Sequence, residues 1–583
     1  MTKPNAPVFA PYLERSGHAL TTHATRWLMA SSVLALAACS STPLPEWPAS
    51  NSAARPPSTQ TTAGTTPPTS VANVTPVVPN HHVQALPYNA SVAALFPDPS
   101  ERYSTPGLAD GRHSFTTNSE LASLLRELNQ QNMAGPLRLG VLTSGSAQSG
   151  TPIYAVVATQ AQAITPLALD ESKRPTVMIV AGQQGTDAAA TEAVLALTKE
   201  LATGGLLAPL LEKINIVLVP RANPDGFERG IATTADGTDL RLDHLALKTP
   251  EARFLAKLAR DYRPSMLLDA GEFAALQPTL QRFAAVRAND MGLQYGLSPN
   301  SHEFVTKAAR EWMHQPAIQA LSEATLRVDW AFEAAPQPAN GFVMGSLEPT
   351  TLRNASSLKN VASMQLQSRG SDLGRIHVQR RVHSHVKAMT AVLQNAAQRA
   401  DDLRKVHGFV TRDVASRACR STLVVQAQPR TSQRDVTLVD ANSGQLVQKT
   451  TAWTSGLEVT EPRTRNNACG YWLSANAVQA TERLGMLGVN VQRVAELSSL
   501  EAETFSTADA TTPATPSNMQ VHRGRMEAPP GSYYVSMNQP LAFLAAAALE
   551  PDTTYSFYSS GVLSQLTDSA RVVVPPQIVF EEE

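Results

Sequence analysis

The sequence predicts an α/β fold, a mixed and mostly parallel sheet flanked by helices, followed by a smaller C-terminal α/β unit. Two observations carry this. Short apolar runs bounded by turn residues alternate with stretches of helical periodicity, and such alternation favours a sheet covered on both faces. In addition, 583 residues are enough for more than one core.

In chain order, Arg26 precedes the apolar stretch WLMASSVLALAAC. It is too short to span a bilayer but suits the apolar region of a signal peptide. Leu36-Ala37-Ala38-Cys39 resembles a bacterial lipoprotein signal-peptidase site, which implies lipidation of Cys39 in the mature protein; a plain export signal or a buried apolar segment are the alternatives. Ser40, rather than Asp, resembles lipoproteins that proceed to the outer membrane, facing the periplasm. Residues 1–39 are thus read as leader and signal peptide. Residues 40–100, rich in Pro, Thr and Ser, are read as a disordered tether, because they offer too little apolar surface to offset their ordering entropy.

From residue 101 the structured body begins. Tyr154–Ala158, the run from Val177 to Ala181, Ile214–Val219 and Met266–Asp269 read as buried strands. Thr191–Ala202 and Pro250–Tyr262 read as helices, the second with Thr249 as its cap. The body is assigned to 101–406 and an accessory unit to 407–583, with compact α/β stretches at Cys419–Val425 and Gly470–Val494. A further strand and an apolar helix near Pro540 follow a Ser/Thr/Pro-rich interruption.

Charge is balanced, 48 Lys and Arg against 49 Asp and Glu, which gives no reason to expect nucleic acid as partner. Membrane contact is expected through the N-terminal anchor only. Three cysteines leave Cys419 and Cys469 to pair in an oxidising envelope, or to remain two unrelated thiols.

In open α/β sheets, sites form where loops leave the carboxyl ends of strands. GQQGTD, from Gly182 to Asp187, lies at such an end. PRANPDGFERG, DGTDLRLDHLAL, LLDAGEF and QLQSRG follow in that order. These five landmarks resemble the M14 zinc carboxypeptidase family, and the resemblance covers roughly residues 135–406 and extends to the C-terminal unit. The resemblance implies a zinc ion on His-x-x-Glu and a later His, a glutamate as general base, and an arginine gripping the substrate carboxylate.

The chemical positions differ here. Gln184 and Asp187 stand at the His and Glu of the first ligand pair, and Gly271 stands at the second His. Gln367 occupies the general-base position, and Leu242 the carboxylate-binding arginine, with Arg241 beside it as a substrate-binding candidate. An amide is a poor zinc donor, glycine offers no side chain, and glutamine takes up no proton at neutral pH. Scaffold positions match: Asn223-Pro224-Asp225-Gly226 as a turn, Asp243-His244, Asp269, Glu272 and Arg369-Gly370. His383 and His385 are two apart on a helix and point in different directions, and they read as surface or packing residues.

The resulting expectation is a lipid-anchored M14-like pseudoenzyme of the cell envelope, without zinc or hydrolysis, binding a peptide or peptidoglycan-derived ligand. The alternative is an active metallocarboxypeptidase with a non-standard zinc site. No cofactor is expected, and zinc only on that alternative. A purely structural lipoprotein is the third reading.

Overall fold

The computed structural model describes residues 86–132, 138–336, 339–507 and 515–582. Cys39, the leader and most of the proposed tether lie outside the described residues.

The main sheet has eight strands: β1 (Arg138–Ser146), β2 (Pro152–Thr159), β3 (Thr176–Ala181), β4 (Asn215–Val219), β5 (Met266–Phe273), β6 (Met291–Tyr295), β7 (Val328–Trp330) and β8 (Ala362–Arg369). Their spatial order is β1-β2-β4-β3-β5-β8-β6-β7. The four central strands, β4, β3, β5 and β8, run parallel, with antiparallel partners on either side. The sheet is therefore mixed, with its parallel part at the centre. β3, β4 and β5 are buried along their whole length, which is why they read as continuous apolar runs rather than alternating ones.

One face packs under the helices Ala188–Ala202 and Val378–Gln398. The first of these is buried nearly all round, and its alanines allow close approach to the sheet. The second carries His383 and His385, both of which are buried. The helix Pro250–Tyr262 covers the other face, with the Thr249 side chain accepting from Ala252 N. Asn223-Pro224-Asp225-Gly226, expected as a turn, instead opens a short helix, Pro224–Arg229. Proline fits its first position, and Asn223 caps it by accepting from Gly226 N.

Residues beyond 406 share a core with the body: Tyr471, Leu473, Leu484, Phe543 and Phe557 pack in one cluster with Val180, Leu255 and Leu267. The largest element there was not legible as such. Thr422–Asp440 and Leu446–Asn466 form a long antiparallel hairpin, which joins a second sheet with Ala285–Arg287, Phe332–Ala334 and Phe342–Met344 from the body. Its outward polar and charged residues hide the strand pattern. A third sheet of six strands is built from residues 470–572. Cys419 and Cys469 are bonded to each other.

Order begins before residue 101. Asn89 caps a one-turn helix, Ala90–Ala93, and Val92 and Phe96 are fully buried against Leu276, Val286, Leu373 and Val439. The spacing Val92, Leu95, Phe96 places three apolar residues on one side of that turn.

His314 sits in a helical turn between Glu303–Ala309 and Gln315–Glu323. Its ring stacks on Trp330 at 4.6 Å between centroids and meets Tyr295 edge-on. Burial pushes its pKa down from 6.5 to about 4. The unfolded chain therefore binds the proton first as pH falls. The stability contributed by the neutral ring is complete above about pH 6.5 and is lost towards pH 4, about 3 kcal/mol in all. We predict that the native chain loses about 3 kcal/mol more than His314→Gln between pH 7 and pH 4 in urea unfolding; equal losses would show that the ring is not held neutral.

Candidate functional site

The turn after β3 is built by two glycines. Gly182 adopts φ +65°, and a Cβ on Gly185 would lie 2.0 Å from the carbonyl carbon of Gly226, so backbone meets backbone there. The turn delivers Asp187 to the start of the helix Ala188–Ala202, but its side chain does not cap that helix. Instead, Oδ2 accepts from Gln184 N at 3.0 Å and Oδ1 accepts from Glu272 N, on β5, at 2.9 Å.

The helix is capped from the neighbouring strand. Glu272 Oε1 accepts from Ala189 N at 2.7 Å, while Oε2 accepts from Arg381 Nε at 2.8 Å and also from its Nη2. Asp187, Glu272 and Arg381 are each only 2 % exposed. Burial pushes the Asp187 carboxyl well above the usual carboxylate range, and the neighbouring Glu272 charge adds to it.

Gly271 and Gln367 lie side by side on the parallel strands β5 and β8. Alternation puts both on the face opposite Ala270 and Leu366, which lie in the core under the helices. A Cβ on Gly271 would stand 3.2 Å from Asp187 Oδ2, so a side chain at 271 would project against that carboxylate. The structure thus brings Asp187, Gly271 and Gln367 together at the carboxyl ends of the parallel strands, with Gln184 in the adjoining turn.

Behind them lies a second buried chain of polar groups. Gln183 Nε2 donates to Asp269 Oδ1 at 2.6 Å, and His244 Nε2 donates to Gln183 Oε1 at 2.5 Å. Burial pushes Asp269 up to about 6 and His244 down to about 3. The imidazole is therefore neutral at pH 7, and its Nε2 is committed to Gln183. Arg353 approaches Asp269 electrostatically and donates to Gln365 Oε1 at 2.9 Å.

Arg241 borders this cluster and interacts electrostatically with Asp187. Its guanidinium is already engaged. Nε and Nη2 donate to the two oxygens of Asp239, at 3.1 and 2.8 Å, and Nη1 donates to Glu333 Oε1 at 3.3 Å. Leu242, at the neighbouring position, is exposed. Glu333 belongs to Phe332–Ala334 of the second sheet, so the sheet containing the long C-terminal hairpin reaches the rim of the site. No motif flagged Glu333 in the sequence. For Arg381 a signal existed: two adjacent arginines on the helix that also carries His383 and His385.

Among the described residues, no group of three or more His, Cys, Asp or Glu side chains is placed to hold a metal ion. Of the histidines around the site, His385 interacts with the backbone of Gly271. His244 bonds Gln183, and His383 Nδ1 lies 2.8 Å from the Tyr103 hydroxyl.

Comparison with known proteins gives a family match over part of the chain. Residues 123–244 match the Peptidase_M14 model, described as zinc carboxypeptidase. "Carboxypeptidase 2" of Trichophyton rubrum is 23% identical over 521 residues, covering 83% of this chain and 95% of that protein. "Carboxypeptidase 2" of Trichophyton equinum is 23% identical over 473 residues, covering 78% and 86%. Among solved structures, a metallo-carboxypeptidase from Burkholderia cenocepacia gives a TM-score of 0.35 at 16% identity, covering 47% of this chain and 69% of that one. Carboxypeptidase A from Helicoverpa armigera gives 0.36 at 14%, covering 50% and 77%.

The geometry makes Asp187 an acceptor for two buried amides. Asp187→Ala leaves both unpaired, each costing about 1–3 kcal/mol, and is predicted to destabilise the fold by about 2 kcal/mol or more. A loss below about 0.5 kcal/mol in chemical denaturation would show that the carboxylate carries no structural load.

Proposed function

We propose that this chain is an M14-like carboxypeptidase scaffold that has lost zinc and hydrolysis, and that it acts in the cell envelope by binding a peptide or peptidoglycan-derived ligand. The observation that carries this reading is the donor set at the strand ends. Catalytic zinc takes three protein ligands and one exchangeable position. Here the corresponding positions hold an amide (Gln184), a carboxylate already accepting two amides (Asp187) and a residue with no side chain (Gly271). These residues do not fit the metal.

The general-base position argues the same way. Gln367 cannot take a proton from water, and a positioned base is usually worth about 10²–10⁴ in rate. The remaining ionisable groups of the cluster are already engaged: Asp187 with two backbone amides, Glu272 with Arg381, and Asp269 and His244 with Gln183. Supporting an envelope location are the lipoprotein-like sequence ending at Cys39 and the Pro/Thr/Ser-rich segment after it.

Arg241 supports carboxylate recognition. Its bond to Glu333 is long, and Glu333 is 65% exposed, so the pair contributes little and a ligand carboxylate can displace it. Glu333→Ala is predicted to raise affinity for peptides with a free C-terminal carboxylate by about fivefold relative to their amidated forms. An unchanged ratio would remove Arg241 from recognition.

Loss of hydrolysis is tested on the full chain by zinc titration calorimetry together with release of C-terminal amino acids from peptides. The expected result is no stoichiometric zinc binding at micromolar concentration and no release above background. One-to-one zinc binding with release would establish the active-enzyme alternative.

A further inference from the structure

At the amino ends of the parallel strands, away from the site above, the body and the C-terminal unit enclose a cavity of about 580 Å³. That volume falls in the range of small-molecule sites, about 300–1,000 Å³. Its apolar wall is formed by Leu267, Val361, Leu487 and Leu541. Its charged lining is of one sign, Arg260, Arg263 and Lys359, with no carboxylate, and the His407 ring beside them is held below its ordinary pKa by burial.

Three helices end there, Pro250–Tyr262, Leu352–Leu358 and Val478–Leu487, and their last carbonyls attract cations. That accounts for Arg260, which donates to Gly485 O and is paired with Asp261. Lys359 itself ends the helix Leu352–Leu358, but its ammonium donates to none of the helix-end carbonyls. The Lys359 side chain is partly buried, and its ammonium has no hydrogen bond or ion pair among the described residues. Burial and the neighbouring Arg260 push its pKa down to about 8, as befits a cation without a counter-charge. Arg263 is exposed to solvent and makes no side-chain hydrogen bond among the described residues, while His407 interacts with the backbone of Asn360. A second cavity of about 500 Å³ shares Arg263 and His407 and is lined also by Asp170 and Asp261, so carboxylates border Arg263 on that side but not Lys359.

We propose that this cavity binds an anionic amphiphile, its carboxylate or phosphate head on Lys359 and Arg263 and its hydrocarbon body along the Leu267, Val361, Leu487 and Leu541 wall. The head group supplies the counter-charge that the protein lacks there, and the wall supplies apolar burial. The site does not include the Asp187 cluster and does not depend on the reading given to that cluster, although Lys359 lies within electrostatic reach of His244.

The test is calorimetric titration of the full chain with decanoate, decyl phosphate and decanol. Saturable one-to-one binding of the anions is expected, about tenfold or more tighter than decanol. The preferred anion identifies the head group as carboxylate or phosphate. Lys359→Met should weaken anion binding about tenfold while leaving decanol binding unchanged and without lowering the thermal midpoint, and Lys359→Arg should retain anion binding. Absence of saturable binding, equal affinity for decanol, or undiminished anion binding by Lys359→Met would each overturn the proposal.

Discussion

The carboxylate of Asp187 is the point on which the strand ends depend. It joins the turn after β3, through Gln184 N, to the end of β5, through Glu272 N. Glu272 then caps the helix Ala188–Ala202 and anchors Arg381 of the helix Val378–Gln398. One turn, one strand and two helices are thereby joined through two buried acidic side chains and one guanidinium. A buried polar network of this kind holds only if every member is satisfied, and here each oxygen of Asp187 and Glu272 has a donor.

This network bears on function because it uses the groups that metal chemistry would require. A zinc ligand needs lone pairs aimed into an open coordination sphere. Asp187 aims its lone pairs at backbone amides, and Gly271 leaves the opposite side without a donor. Gln183, Asp269 and His244 form a second closed chain behind it. On this reading the strand ends form a stable, inward-bonded floor, and recognition falls to the rim, where Arg241 and Glu333 meet.

Much of this was legible in the sequence. The central strands were readable because burial on both faces makes them continuous apolar runs, and Pro250–Tyr262 because Thr249 and Pro250 mark its start. The substitutions at 184, 187, 271 and 367 were visible as residue types against a family pattern. What was hidden was long-range. Glu272 capping a helix that begins at Ala188, and Glu333 reaching Arg241, join segments with no shared local signal. The long hairpin was hidden because its solvent-facing strands are mostly polar, and the order before residue 101 because a single helical turn carries it.

The central claim is that the strand-end cluster is closed to zinc, and the most direct measurement is anomalous diffraction at the zinc edge from crystals of the full chain soaked in zinc. The account predicts no anomalous peak beside Asp187. A peak about 2 Å from an Asp187 oxygen, with a second protein donor at similar distance, would contradict it.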